Sequence, residues 1–375
     1  MPEYNYQGTV NQKRLERLRE IERELPIVCT DYFRSISNTT STLTRLAYAY
    51  DYRLFFEYLQ RENYLFASID IPLIGAIELD KITGRDIEGY QDYLTQYYKN
   101  EDTEKEKIVQ NHELGIMRKL CSLRSLFEHL YKHHIVTANV TTLVDLPKVH
   151  EKPILRLEED ELKRFVQTVE TGDGLTKRQQ TLHKFTKNRD LAMMMLFLGT
   201  GIRVSECVGL DITDLDFELN AFLVTRKGGN QTILYFSEQV ADALTDYLVE
   251  REQIEPLEGH ENALFLSGQK RRITQRAVEN LVKKYAAVAA PLKKRMSPHK
   301  LRSTFGTNLY LETGDIYLVA DVLGHSNVNT TRKHYAAMTD MRKREAVKHV
   351  ILPETEKKVE ENDESSEKQD QSSDS

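Results

Sequence analysis

The strongest constraint on the fold is a break at Pro147-Lys148-Val149-His150-Glu151-Lys152-Pro153. Two prolines and four titratable groups in seven residues resist both helix and sheet and predict an extended linker. Upstream of it, apolar residues recur at helical spacing. Thr39–Arg61 carries Leu43, Leu46, Ala47, Tyr50, Leu54, Phe55 and Tyr58 at intervals of three and four. Asp86–Tyr98 and His112–His133 repeat the pattern, the latter with Leu120, Leu123, Leu126, Phe127 and Leu130. Residues 1–146 are therefore expected to form a helical bundle and 147–154 a linker. Downstream the pattern is mixed. Glu158–Glu170 and Asn188–Phe197 read as helices. Ala221–Thr225 and Gln231–Tyr235, β-rich runs flanking Arg226-Lys227-Gly228-Gly229-Asn230, predict a hairpin. Helical patterns resume over Gln239–Arg251, Thr274–Val288, Pro298–Glu312, Asp315–Leu323 and Asp340–His349. No internal repeat is evident. The fold class is thus mostly α with a small antiparallel sheet: a helical domain, then an α+β domain over 155–353. A chain of 375 residues is long enough for two cores.

The net charge of -6 is misleading as a whole-chain figure. Residues 354–375 hold nine Asp/Glu, three Lys and a single apolar residue, Val359, so they account for all of it. Such a segment cannot bury enough surface to offset ordering and is expected to be disordered. Removing it leaves 49 basic and 49 acidic residues in 1–353. Their distribution is uneven. Lys270 to Arg302 contains eleven Lys/Arg and one acid, Glu279, a local net of +10. Leu281, Val282, Tyr285 and Val288 give this run one apolar helical face, which concentrates the cations on the other. Charge runs are most often solvated helix faces; this density favours phosphate. Lys270, Arg271, Arg272, Arg276, Lys283, Lys284 and Lys300 are the candidate phosphate contacts. Cys29, Cys121 and Cys207 form no Cys-x-x-Cys pair, and no apolar run reaches a membrane span. With no basic-then-apolar leader pattern at Met1, a cytoplasmic protein without a membrane role is expected.

A few short stretches can carry chemistry. In Leu198-Gly199-Thr200-Gly201-Ile202-Arg203-Val204-Ser205-Glu206, a helix runs into glycines and then an arginine. Gly201 allows a sharp turn that would bring Arg203 to the base of a cleft; the plainer reading is a surface Arg after a cap. The phosphate-loop pattern of nucleotide hydrolases is absent from the chain. Lys227 sits on the hairpin tip, where lysines are usually idle, although a hairpin can hold one cation over a groove. Ser297-Pro298-His299-Lys300-Leu301-Arg302 starts a helix with His299 and Arg302 one turn apart on one face. That combination suits an anion; by itself, a helix-start His and a solvent Arg explain it equally well. His325 follows Leu323-Gly324, and Tyr335 follows His334. A metal held by His299, His325 and His334 is disfavoured, because their neighbours are cationic and no carboxylate adjoins them. Arg203, Lys227, His299, Arg302, His325 and Tyr335 together contain no carboxylate. They suit a phosphodiester that gains charge in its transition state, with tyrosine as oxygen nucleophile.

The order of these motifs resembles the tyrosine recombinase (phage integrase) family. TGIRVSE, VTRKGGN, SPHKLRSTFGTNL and VLGHSNVNTTRKHY match it across 155–340, and 24–147, ending in LRSLFEHLYKHHIVTANV, is similar to its SAM-like core-binding domain. Among subgroups the chain looks most like the Xer recombinases, and Lys177–Asp190 resembles their single-recombinase type. There are two departures. The family usually places its tyrosine nine residues after the histidine of LGH; here His334 holds that position and Tyr335 follows it. Ser303 stands where a second histidine is common.

The resemblance implies catalytic roles. Tyr335 would form a 3′-phosphotyrosyl link, His299 would act as base, and Arg203 and Arg302 would clamp the non-bridging oxygens. Lys227 would protonate the leaving 5′-oxygen, and His325 would bond the phosphate. No metal or other cofactor would be needed. The partners implied are double-stranded DNA sites held in a two-domain clamp, a homotetramer on DNA and a DNA translocase. Asp340–His349 would then dock on a neighbour; the plainer alternative is that it packs within its own chain. The expected role is chromosome dimer resolution. The alternatives are integration or excision of a mobile element, a type IB topoisomerase-like activity and an idle DNA-binding regulator.

Overall fold

A computed structural model of the chain describes residues 6–99, 107–150, 155–226, 229–293, 295–324 and 328. The first half is built from α1 (Tyr6–Glu22), α2 (Ile27–Ser35), α3 (Thr42–Glu62), a single-turn α4 (Ala76–Leu79) and α5 (Gly84–Tyr93). A small antiparallel pair follows, β1 (Gln96–Lys99) with β2 (Lys107–Gln110), and then α6 (Glu113–Lys132). The helix expected over Asp86–Tyr98 therefore ends at Tyr93. Tyr97 and Tyr98 belong to a strand, in which their side chains take opposite faces: Tyr97 is buried and Tyr98 exposed. Ser41 caps α3 by accepting the Thr44 N–H at 3.3 Å. The apolar stripes of α3 and α6 meet in a core that includes Tyr52, Phe55, Phe56, Leu120, Leu123 and Phe127. Asp51, buried on α3, accepts two bonds from Arg118 and one from Ser122 of α6. This pairing keeps a charge inside the helix interface without leaving it unpartnered.

A second core gathers residues from Leu157 to Leu301. Its helices begin with α7 (Glu159–Thr171), α8 (Lys177–His183), α9 (Lys187–Thr200) and the one-turn α10 (Val204–Cys207). The sheet is antiparallel in the order β3 (Leu215–Asp216), β4 (Ala221–Thr225), β5 (Gln231–Tyr235). The β4–β5 hairpin has the bounds expected from sequence, with Ala221 opposite Tyr235 and Thr225 opposite Gln231. Then come α11 (Glu238–Glu252), α12 (Gln275–Ala289), α13 (Pro298–Thr313) and α14 (Ile316–Leu323). Burying side chains such as Phe165, Phe197, Leu244 and Tyr285 in this core stabilises it by roughly 1.5–3 kcal/mol each. The chain divides into two compact units, Met1–Phe305 and Gly306–Ser375. Both cores lie in the first; the described part of the second is the latter part of α13, α14 and residue 328.

Helix α1 serves both cores of the first unit. Leu18 and Ile21, near its end, are buried with the α3–α6 core, whereas Tyr6, at its start, packs against the second. The Arg272 guanidinium lies over the Tyr6 ring, 4.9 Å from its centre. Among the described residues no helix is long and apolar enough to cross a membrane.

Candidate active site

The site grows from the end of α9. Gly201 terminates that helix at φ 63, in the left-handed region where a side chain would be strained, and its N–H bonds the Phe197 carbonyl. The backbone then reverses into Arg203, the N-cap of α10. Glu206 lies three residues on and reaches back. Its carboxylate accepts the Arg203 backbone N–H at 3.0 Å and the Arg203 Nη1 at 2.8 Å. Glu206 is itself buried. Arg302, only 4% exposed on α13, donates from Nη1 to the Gly201 carbonyl. The Gly201 turn therefore sets both arginines: one follows it in sequence and the other is bonded to its carbonyl. His299 lies one turn before Arg302 and is exposed.

Sequence reasoning finds Arg203, His299 and Arg302 but misses Glu206. A signal for it is present: a carboxylate three residues after an N-cap arginine is placed to fold back on it. The site is therefore not free of carboxylates. Glu206 holds the Arg203 guanidinium in place. Lys227, His325 and Tyr335 lie outside the described residues. Their flanks are described. Arg226 N–H bonds the Asn230 carbonyl at 2.8 Å, which closes the hairpin on either side of Lys227. Gly324 caps α14 at φ 59, immediately before His325. Asp340–His349 and the acidic segment 354–375 also lie outside.

The candidate phosphate contacts divide into two groups. Lys270, Arg271, Arg276 and Lys283 are exposed, and Lys300 is half-buried. Arg272 and Lys284 turn inward and are occupied. Arg272 is buried and donates to the carbonyls of Val208 and Leu210 and to the Asp211 carboxylate. Lys284 bonds the fully buried Asp190 at 3.2 Å, beside Tyr285 (2.6 Å) and Arg189 (2.6 Å). Burial lowers the Lys284 pKa, and Asp190 opposes that shift. Both cations are therefore structural, and the outward charge of the basic segment rests on the others. No cluster of three metal-ligating side chains occurs among the described residues.

Comparison with known proteins extends over both halves of the chain. The phage integrase family model matches residues 155–342. Tyrosine recombinase XerC of Caldanaerobacter subterraneus subsp. tengcongensis is 34% identical over 325 residues, 84% of each chain. Tyrosine recombinase XerS of Streptococcus pneumoniae is 29% identical over 362 residues, covering 88% of this chain and 97% of its own. Among solved structures, XerH recombinase in a post-cleavage complex with a palindromic difH substrate superposes with a TM-score of 0.60 at 20% identity, over 82% of this chain and 80% of that one. The Tn1549 transposon integrase with circular intermediate DNA gives 0.56 at 22% identity, over 84% and 98%. At such identities the structural matches establish a shared fold. From the family match and the relatives that span both cores, the chain belongs to the phage integrase family and is a tyrosine recombinase.

Proposed function

We infer that this recombinase cuts and rejoins duplex DNA at specific sites, in chromosome dimer resolution or a related Xer-type role. What carries the reading is the junction of Arg203, Glu206 and Arg302 at the Gly201 turn, with His299 one turn away, in a chain whose relatives are XerC and XerS. Two guanidinium groups offer forked donors that match the non-bridging oxygens of a phosphodiester. Tyr335 attacks the phosphorus, so its oxygen–phosphorus bond forms as the bond to the 5′-oxygen breaks. His299 takes the phenol proton, which free tyrosine holds to a pKa of about 10. Lys227 returns a proton to the 5′-oxygen, and His325 bonds the phosphate. The link conserves the phosphodiester's energy, so a 5′-hydroxyl of the partner strand can attack it without metal or nucleotide.

In this reading residues 1–146 and 155–353 are the two halves of a clamp around DNA, and 147–154 crosses between them. Four protomers assemble on two sites, and a DNA translocase is a candidate partner. A supercoiled plasmid carrying two copies of the chromosomal site tests the function. Two resolved circles are expected. Relaxed topoisomers without exchanged circles would instead support a type IB topoisomerase-like activity.

A further inference from the structure

The helix that carries His299 and Arg302 is tied to more than the Gly201 turn. Thr304, fully buried on α13, accepts the Leu157 N–H at 3.0 Å and donates to the Lys300 carbonyl at 3.0 Å. Leu157 is itself 2% exposed and belongs to the second core. It lies just past the Pro147–Pro153 break, where the chain enters that core. Lys293, before α13, reinforces the same spot by donating to the Arg156 carbonyl at 2.6 Å and pairing with Glu161. The other side of the break is also pinned. Arg124 on α6 donates to the carbonyls of Thr141 (3.2 Å) and Val144 (2.5 Å). The connecting stretch is thus anchored at one end to the first core and at the other to the catalytic helix.

We propose that Thr304 is a positioning residue that sets the register of the catalytic helix on the linker exit, so that displacement of the linker reaches His299 and Arg302. The proposal rests on the recombinase reading, in which the two halves clamp DNA. Its physical basis is local. Leu157 is buried and an N–H left unpaired there is costly, so a displacement of residues 155–158 either breaks its bond to Thr304 or carries α13 with it. Arg302 lies two residues before Thr304 and bonds the Gly201 carbonyl, so a shift of α13 changes the geometry of both arginines.

Three full-length variants test this with a nicked suicide substrate. Thr304→Val keeps the shape of the side chain and removes the acceptor; Thr304→Ser keeps the acceptor. A third variant inserts Gly-Gly between Val149 and His150. Expected for Thr304→Val is a covalent-adduct rate at saturating DNA about ten-fold below wild type, equivalent to about 1.4 kcal/mol in the barrier, with DNA Kd within about two-fold of wild type. Thr304→Ser restores the rate. The insertion slows the wild type but slows Thr304→Val no further, since the connection is already cut. A wild-type rate in Thr304→Val, an effect confined to Kd, failure of the Ser variant to rescue, or additive effects of insertion and substitution would each overturn the proposal. If Thr304→Val does not fold, Thr304→Ala, which also lacks the acceptor, takes its place in each comparison, and an insertion that leaves the wild-type adduct rate unchanged overturns the proposal by itself. Absence of adduct in the wild type would instead count against the recombinase reading itself.

Discussion

Glu206 puts a buried negative charge against Arg203, one of the two arginines that would meet the phosphate. Its cost is offset by the Arg203 guanidinium and backbone N–H. Arg203 remains 35% exposed, so solvent screens part of that attraction. Glu206→Gln is expected to lower unfolding stability by about 1–3 kcal/mol, measurable by denaturant titration. It should also slow adduct formation, because Arg203 loses its anchor. A variant with unchanged stability and rate would show that Glu206 does neither. At this scale the sequence is partly legible. Arg203, His299 and Arg302 emerge from glycine and helix-start signals, which are local. Arg272 and Lys284 read as outward cations because their partners, Asp211 and Asp190, lie far away in sequence. Whether a cation faces solvent or a buried carboxylate is a tertiary fact that charge density does not contain.

Elements with strong periodicity are legible to within a few residues: α3, α6, α7, α12 and the β4–β5 hairpin follow their expected spans. Helix α1 escapes because it is largely polar and its two ends are buried by different partners. Strand β1 escapes because four residues cannot establish a period of two. On α6 the ring of His129 lies 4.3 Å from that of His133, its C-cap. Burial, and then the neighbouring His133, lower the His129 pKa below its ordinary 6.5. Between that folded value and 6.5 the unfolded chain binds more protons, so stability falls as pH falls. The contribution is fully present above pH 6.5 and is lost on acidification. His260 has the same sign, from burial and then from Arg272 and Arg271. Melting temperature should decline from about pH 7.5 to about 5.5, and His129→Gln should flatten the decline. An equal slope in that variant would assign the pH dependence elsewhere.

For the whole molecule, the net charge of -6 says little about partners, because residues 354–375 carry all of it. The remaining charges divide in space, with Lys270, Arg271, Arg276 and Lys283 facing outward. Binding of duplex DNA should weaken steeply with salt. Changing these four to Gln should make the slope of log K against log salt shallower by about 0.9 for each phosphate no longer neutralised. An unchanged slope would exclude them from the interface. The compact units, Met1–Phe305 and Gly306–Ser375, do not part at the Pro147–Pro153 stretch, although the hydrophobic periodicity that fills the two cores is legible along the chain. The passage of α1 from one core to the other is not, since nothing near Tyr6 announces Arg272 as its neighbour.

The central claim is a covalent tyrosine intermediate, and trapping it is the most direct measurement. Wild-type protein on a nicked suicide substrate should yield a DNA-linked species whose attached peptide contains Tyr335. Tyr335→Phe should bind the same DNA with similar affinity and yield none. Adduct persisting in Tyr335→Phe, or mapping to His334, would contradict the assignment of the nucleophile.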